Sequence, residues 1–342
     1  MMSTPNSLFD RDRSAERLPV SLITGFLGSG KTTLLNRLLQ RPEMADSAVI
    51  INEFGEVALD HLLVEPIAGE AVVLASGCLC CAVRGDLQDA LRRLLVQRDH
   101  GEVPAFARVL IETSGLADPA PVVQLLLNNP LLGHDLRLDT VVATIDGAAG
   151  LSQVEQYAEA LKQAALADRL LVTKTDIAPA AEVEALVRAL RGINPGAAIE
   201  TVIHGEIDPA RLFGAGLHEQ RDPGRWLNIR AYQDHRHTHG ISAFSLVAEQ
   251  PLDWLAFHGW LGELRATCGD RLLRVKGVLN VADEEGPVVI HGVQHVFHPP
   301  VVLRRWPNGD RTSRLVMIVR DLDRETIVAG WPGLAAQDLR PG

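Results

Sequence analysis

Between Pro19 and Leu39 the chain reads PVSLITGFLGSGKTTLLNRLL: a buried strand, a glycine-rich turn and an amphipathic helix in succession. Gly25, Gly30, Lys31 and Thr32 satisfy the phosphate-loop pattern G-x-x-x-x-G-K-[ST] in the strand-before, helix-after context it requires. Glycine lets the backbone fold so that consecutive N–H groups point inward at an anion. The helix opening at Lys31 adds the partial positive charge of its N-terminus. The predicted nucleotide-binding set is therefore Gly25, Gly28, Ser29, Gly30, Lys31, Thr32 and Thr33. Lys31 reaches the β/γ-phosphates and the Thr32 hydroxyl ligates Mg²⁺, so the expected ligand is a nucleoside triphosphate. The competing reading is an ordinary glycine turn before a helix. The chain's only lysines are Lys31, Lys162, Lys174 and Lys276, so a chance lysine at this place is improbable.

Alternation extends the pattern. Short β-branched apolar runs lie at 20–24, 48–51, 71–74, 109–111, 140–145, 170–172 and 199–202, with helical periodicity at 31–39, 86–98, 122–128, 152–165 and 180–191. This predicts an α/β fold, a phosphate-loop NTPase domain over 18–204 with a mostly parallel sheet between helices. Residues 1–17 read as a loose tail without a secretory signal. Residues 205–240, rich in Gly, Pro, Asp, Arg and His, read as a linker. Strand-like runs at 241–247, 278–281, 288–291, 301–303 and 315–319, with helices at 252–266 and 324–329, predict a smaller C-terminal α+β domain over 241–342 with an antiparallel or mixed sheet. The net charge of −10 speaks against non-specific binding to nucleic acid or anionic membrane. The longest apolar stretch, 71–83, is too short to span a bilayer. The expected location is cytoplasmic.

Three further segments carry chemistry. LVTKTD at 171–176 follows a strand, and Lys174 and Asp176 match the last two specified positions of the guanine-recognition element N-K-x-D. A carboxylate at Asp176 accepts from the ring N–H and exocyclic amine of guanine, a donor pair adenine lacks. Thr173 stands where that element has Asn. VLIETSG at 109–115 ends a strand in Glu112, with Gly115 three residues on. In a phosphate-loop protein such a carboxylate holds Mg²⁺ and such a glycine N–H meets the γ-phosphate. Lys31, Glu112 and Gly115 are thus the candidate catalytic residues, with Thr32 and Glu112 for Mg²⁺. Glu53, Glu56 and Asp60 of IINEFGEVALD, 50–60, fall in a switch-like loop, or in a plain solvated acidic one.

SGCLCC at 76–81 gathers Cys78, Cys80 and Cys81, three of the four cysteines. Such a cluster can supply thiolates to one tetrahedral cation, Zn²⁺ first, with Co²⁺ or Ni²⁺ also accepted. Glu56 is a weak additional ligand. A Cys78–Cys81 redox pair and simple packing are the alternatives. His235, His237 and His239 form either an accessory metal patch or a solvated linker. Cys268 reads as core.

Taken together, GFLGSGKTTLLN (25–36), NEFGEVALD (52–60), GCLCC (77–81), ETSGLADP (112–119), TKTD (173–176), LLRVKG (272–277) and HGVQHVF (291–297) resemble the CobW family of phosphate-loop GTPases, and within it the YjiA-like branch. The resemblance implies a GTPase with slow intrinsic turnover that binds a transition metal at the C-x-C-C segment. It would act as a metallochaperone or metal-homeostasis factor for a client protein, with monomer and homo-oligomer both open. A nucleotide-linked metal sensor or buffer, a factor in cobalamin synthesis and an ATP-dependent kinase are the rivals.

Overall fold

The C-terminal ends of parallel strands meet in the first of two compact units, Glu16–Glu219. The computed structural model describes residues 7–12, 14–52, 72–76, 83–216, 226–232, 236–238, 240–306 and 309–332. After a two-residue strand β1 (Asp10–Arg11), the chain forms β2 (Leu18–Gly25), α1 (Lys31–Leu39), β3 (Ser47–Asn52), β4 (Val72–Ser76), α2 (Val83–Asp99), β5 (Arg108–Thr113) and α3 (Ala120–Asn128). It continues through β6 (Leu136–Asp146), α4 (Gly150–Gln156), α5 (Ala158–Leu166), β7 (Arg169–Thr173), α6 (Ala180–Ile193), β8 (Ala198–Val202) and α7 (Pro209–Leu212). Among the described residues, strands β2 to β8 make one sheet in the order β4-β3-β5-β2-β6-β7-β8, every neighbouring pair parallel.

A sheet covered on both faces demands strands apolar throughout, which is why β2, β3, β5 and β6 are nearly continuous apolar runs. Ile23, Val49, Leu110, Val142 and Leu171 meet Leu34, Leu35 and Leu38 of α1 in one core cluster. Each such leucine, fully buried, stabilises the fold by roughly 1.5–3 kcal/mol. The phosphate loop is thereby anchored at both ends, by β2 and by α1.

Two local expectations are revised. The single helix read over 152–165 is two, because Tyr157 takes an extended conformation between α4 and α5 and lays its ring on Phe26, centroids 4.7 Å apart. The stretch read as a linker from 205 onward is structured over 205–216. Ile207 and Leu212 enter the same core cluster. Asp139 accepts from the Gly214 N–H at 3.0 Å, and Thr140 Oγ1 from the Ala215 N–H at 3.0 Å.

The second unit comprises Met1–Ala15 and Gln220–Gly342. It contains β9 (Arg236–Thr238), β10 (Ile241–Ala248), α8 (Trp254–Cys268), β11 (Leu272–Leu279), β12 (Val288–Val293), β13 (Val296–Phe297), β14 (Val301–Val302), β15 (Ser313–Arg320) and α9 (Arg324–Val328). The sheet runs β1-β14-β12-β11-β15-β10-β9, with β13 paired to β12. It is mixed: β1 pairs β14 in parallel and the other pairings are antiparallel. Phe244, Leu246, Val275, Leu279, Ile290, Leu315 and Met317 share the face that packs on Phe257, Trp260, Leu261 and Leu264 of α8. Residues 10 and 11, read as tail, are thus a strand of this unit. The strand expected at 278–281 begins at Leu272 instead, and Arg274 and Lys276 within it are buried.

Candidate nucleotide-binding site

Residues 25–30 turn between β2 and α1 through three glycines with positive φ: Gly25 at 144°, Gly28 at 71° and Gly30 at 93°. Gly25 has a second reason to be glycine, since a Cβ there would fall 2.3 Å from Thr144 Oγ1 and 2.4 Å from the Thr144 carbonyl oxygen. Gly30 is the residue before the first turn of α1, and its left-handed conformation starts the helix without a side-chain cap. The N–H groups of that first turn carry the partial positive charge of the helix N-terminus. Lys31 is buried and its ammonium donates to the carbonyls of Gly25 at 3.0 Å and Phe26 at 3.3 Å. Thr33 follows on the exposed side of the same turn.

Thr32 and Glu112 come from α1 and from the end of β5, strands and helix placing them side by side across the sheet. Thr32 Oγ1 donates to Glu112 Oε1 at 2.8 Å, and the Glu112 carboxylate is buried. A hydroxyl next to a carboxylate, both hard oxygen donors, suits Mg²⁺ rather than a thiophilic ion. Gly115 passes directly beneath the tip of the loop: a Cβ there would lie 2.7 Å from Leu27 Cδ2 and 2.8 Å from the Leu27 nitrogen.

The 114–118 segment is held by two residues that sequence reasoning missed. Gln163, fully buried on α5, donates through Nε2 to the carbonyls of Gly115 at 3.2 Å and Ala117 at 3.0 Å. Lys162 Nζ meets Asp118 Oδ2 at 2.6 Å, and Asp118 Oδ1 accepts from the Ala120 N–H at 2.9 Å. Nothing local marks either residue. Only a polar Gln on the apolar face of an otherwise alanine-rich helix hints at a buried role.

At the end of β7, Thr173 is buried and its hydroxyl donates to the Ser29 carbonyl at 2.8 Å, with the Ile145 carbonyl at 3.2 Å. Lys174 takes the left-handed conformation, φ 54°, and its ammonium meets Asp146 Oδ2 at 2.7 Å. Asp146 also accepts from the N–H groups of Ala148 and Ala149 through Oδ1. Burial alone would push the Asp146 carboxyl up, but the Lys174 hydrogen bond and these two N–H donors together hold it below its ordinary value of 3.8. Asp146 is a third site residue not anticipated. Asp176 is exposed, and His204, left-handed at φ 51°, brings Nε2 to 3.9 Å from Asp176 Oδ2.

Phosphate loop, Thr32–Glu112 pair, Gly115 and the Thr173–Asp176 loop therefore converge at the carboxyl ends of β2, β5 and β7, where open α/β sheets bind ligands. Cys78, Cys80, Cys81, Glu53, Glu56 and Asp60 lie outside the described residues, as do His235 and His239. His237 falls in β9, paired with Ser242 of β10. Among the described residues no group of three His, Cys, Asp or Glu is placed to hold a metal ion, and no helix is long and apolar enough to cross a membrane.

Comparison with known proteins identifies the family. Residues 19–201 match the family described as CobW/HypB/UreG, nucleotide-binding domain, and residues 241–334 the cobalamin synthesis protein cobW C-terminal domain. The chain is 35% identical over 319 residues to the zinc chaperone YjiA of Escherichia coli, covering 93% of this chain and 98% of that one. It is 31% identical over 356 residues to the zinc chaperone CobW of Pseudomonas aeruginosa, covering 92% and 91%. The crystal structure of Zn(II)-bound YjiA GTPase from E. coli superposes with a TM-score of 0.72 at 30% identity, over 93% of this chain and 99% of that chain. This chain is a phosphate-loop GTPase of the CobW/HypB/UreG family.

Proposed function

We propose that the protein is a GTP-binding and GTP-hydrolysing metallochaperone that takes up a transition metal, Zn²⁺ first, and couples its transfer to a client protein to the GTP cycle. The observation that carries the nucleotide half is the Thr32–Glu112 contact beside the Lys31 loop. Thr32 and Glu112 are the residues to hold Mg²⁺, which when bound neutralises charge on the β- and γ-phosphates. Lys31 shares that task from the other side. Gly115 presents its backbone N–H toward the γ-phosphate, kept there by Gln163 and the Lys162–Asp118 pair. Lys174 and Asp176 recognise guanine, the first with its stem along the base and the second by accepting from its N–H groups.

The metal is cargo, held by Cys78, Cys80 and Cys81, with Glu56 as a weaker candidate. The zinc chaperones among the relatives support this half of the reading. In the motif segments we read no Gln or Arg as the residue that orients the attacking water, and slow intrinsic turnover, accelerated by a partner, is part of the proposal. The test is metal analysis of the reduced protein with and without a non-hydrolysable GTP analogue. Coupling requires the analogue to change Zn²⁺ affinity, and Zn²⁺ to change analogue affinity by the same factor. Equal Zn²⁺ affinity in both states reduces the protein to a metal buffer with an incidental nucleotide site. A reversible Cys78–Cys81 disulfide with no bound metal favours a redox role instead.

A further inference from the structure

Five buried hydroxyls line the carboxyl ends of four neighbouring strands and the loop they support: Thr24 of β2, Ser29 of the phosphate loop, Thr113 of β5, Thr144 of β6 and Thr173 of β7. Thr113 Oγ1 donates to Thr24 Oγ1 at 2.9 Å, and Thr144 Oγ1 to the Thr24 carbonyl at 3.3 Å. Ser29 Oγ and Thr144 Oγ1 are 2.7 Å apart, and Thr173 Oγ1 donates to the Ser29 carbonyl at 2.8 Å. Each hydroxyl has one proton, and one assignment serves all four contacts: Thr113 to Thr24, Ser29 to Thr144, Thr144 to the Thr24 carbonyl, Thr173 to the Ser29 carbonyl. One end of this ladder adjoins Lys174; the other adjoins Glu112, which accepts from Thr32.

We infer that this hydroxyl ladder sets the phosphate loop in register between the base loop and the Thr32–Glu112 pair, with Thr173 and Thr144 as its positioning residues for the triphosphate. Ser29 is caught at both ends, its carbonyl by β7 and its hydroxyl by β6, which orients the peptide planes flanking it. Those planes carry the N–H groups that must converge on phosphate oxygens. Thr173 stands where the base-recognition pattern has Asn, and its hydroxyl is directed at the loop rather than at a base. The inference deepens the nucleotide-site reading above and rests on it.

The experiment measures KM for Mg·GTP and the competitive inhibition constant of inorganic pyrophosphate, an anion without a base. Slow turnover makes KM report binding. Thr173→Val removes the hydroxyl and leaves the Ser29 carbonyl unsatisfied, a loss on the order of tenfold in binding. Both constants are expected to rise together by about that factor, and Thr173→Ser to restore both within about twofold. Asp176→Asn is expected to raise KM for GTP alone. A Thr173→Val protein that loses GTP affinity while pyrophosphate inhibits as before acts on the base, and the ladder is overturned; so is it if neither constant moves. Thr144→Val, acting on the other end of Ser29, is expected to weaken pyrophosphate equally and decides the matter if Thr173→Val does not fold. Failure of the underlying site reading looks different: pyrophosphate does not compete with GTP in the unaltered protein, or Asp176→Asn leaves KM unchanged.

Discussion

Asp146 shows how one carboxylate organises the turns that follow β6 and β7. It holds Lys174 by an ion pair at 2.7 Å and ties the next turn through Ala148 and Ala149. Because its folded pKa lies below the ordinary 3.8, its contribution to stability is fully present above about that pH and is lost as pH falls through the folded value. Lys174 is partly exposed, so the charge–charge part is screened and Asp146→Asn is expected to cost about 1 kcal/mol near neutrality. Denaturant unfolding of both proteins at pH 7 and near pH 3 checks this: the gap shrinks in acid, and a gap independent of pH would show that charge is not what matters. GTP affinity is expected to drop several-fold in parallel. Neither Asp146 nor Gln163 was legible in the sequence, since each acts on groups far away in the chain. Gly25, Lys31 and Thr32 were legible because their spacing follows from the geometry of a strand, a turn and a helix, and Glu112 because an apolar strand run ends on it. Thr173 was seen only as a missing Asn, and its bond to Ser29 needed three dimensions to be found.

Helix α5 is the element that governs the 114–118 loop. Gln163 replaces solvent at two carbonyls that the loop's own backbone leaves open, and Lys162 fixes its far end through Asp118. Gln163→Leu keeps the volume and removes both donors, leaving two buried carbonyls unsatisfied at about 1–3 kcal/mol each. The expected outcome is faster amide hydrogen exchange over 114–118 and a fall in kcat for GTP with a smaller change in KM. An unchanged exchange profile would falsify the clamp. Elements of the first unit were legible because parallel strands buried on both faces appear as unbroken apolar runs. The break at Tyr157 was not, since the apolar period runs through it and the turn goes with a tilted ring contact to Phe26. Strand β11 was missed over 272–277 because Arg274 and Lys276 interrupt its apolar run, whereas Lys276 lies buried with its ammonium 4.9 Å from the Trp226 ring. Composition also hid residues 205–216: Gly, Pro and Asp suggest a linker, yet Ile207 and Leu212 complete a core made by distant strands.

At the scale of the molecule, the chain begins in one unit, builds the other and returns. Strand β1 pairs Asp10 with Val301 and Arg11 with Val302. Leu8 N–H and Ser7 Oγ donate to Glu284, at 2.9 Å and 3.0 Å, and the Phe9 ring sits edge-on to Trp254 at 4.6 Å. Deleting residues 1–15 is expected to lower the melting temperature of the second unit by several degrees while GTP binding stays within about twofold. Calorimetry with a parallel nucleotide titration checks this; loss of GTP binding would show that the segment serves the first unit instead. The same pairing has a consequence for biosynthesis. A ribosome adding roughly 5–20 residues per second leaves β1 without its mate for about 15–60 s, until β14 has emerged. Over that interval the GTPase unit can close around its own apolar strands. Because β1 is only two residues long, it offers neighbouring nascent chains almost no edge on which to pair wrongly.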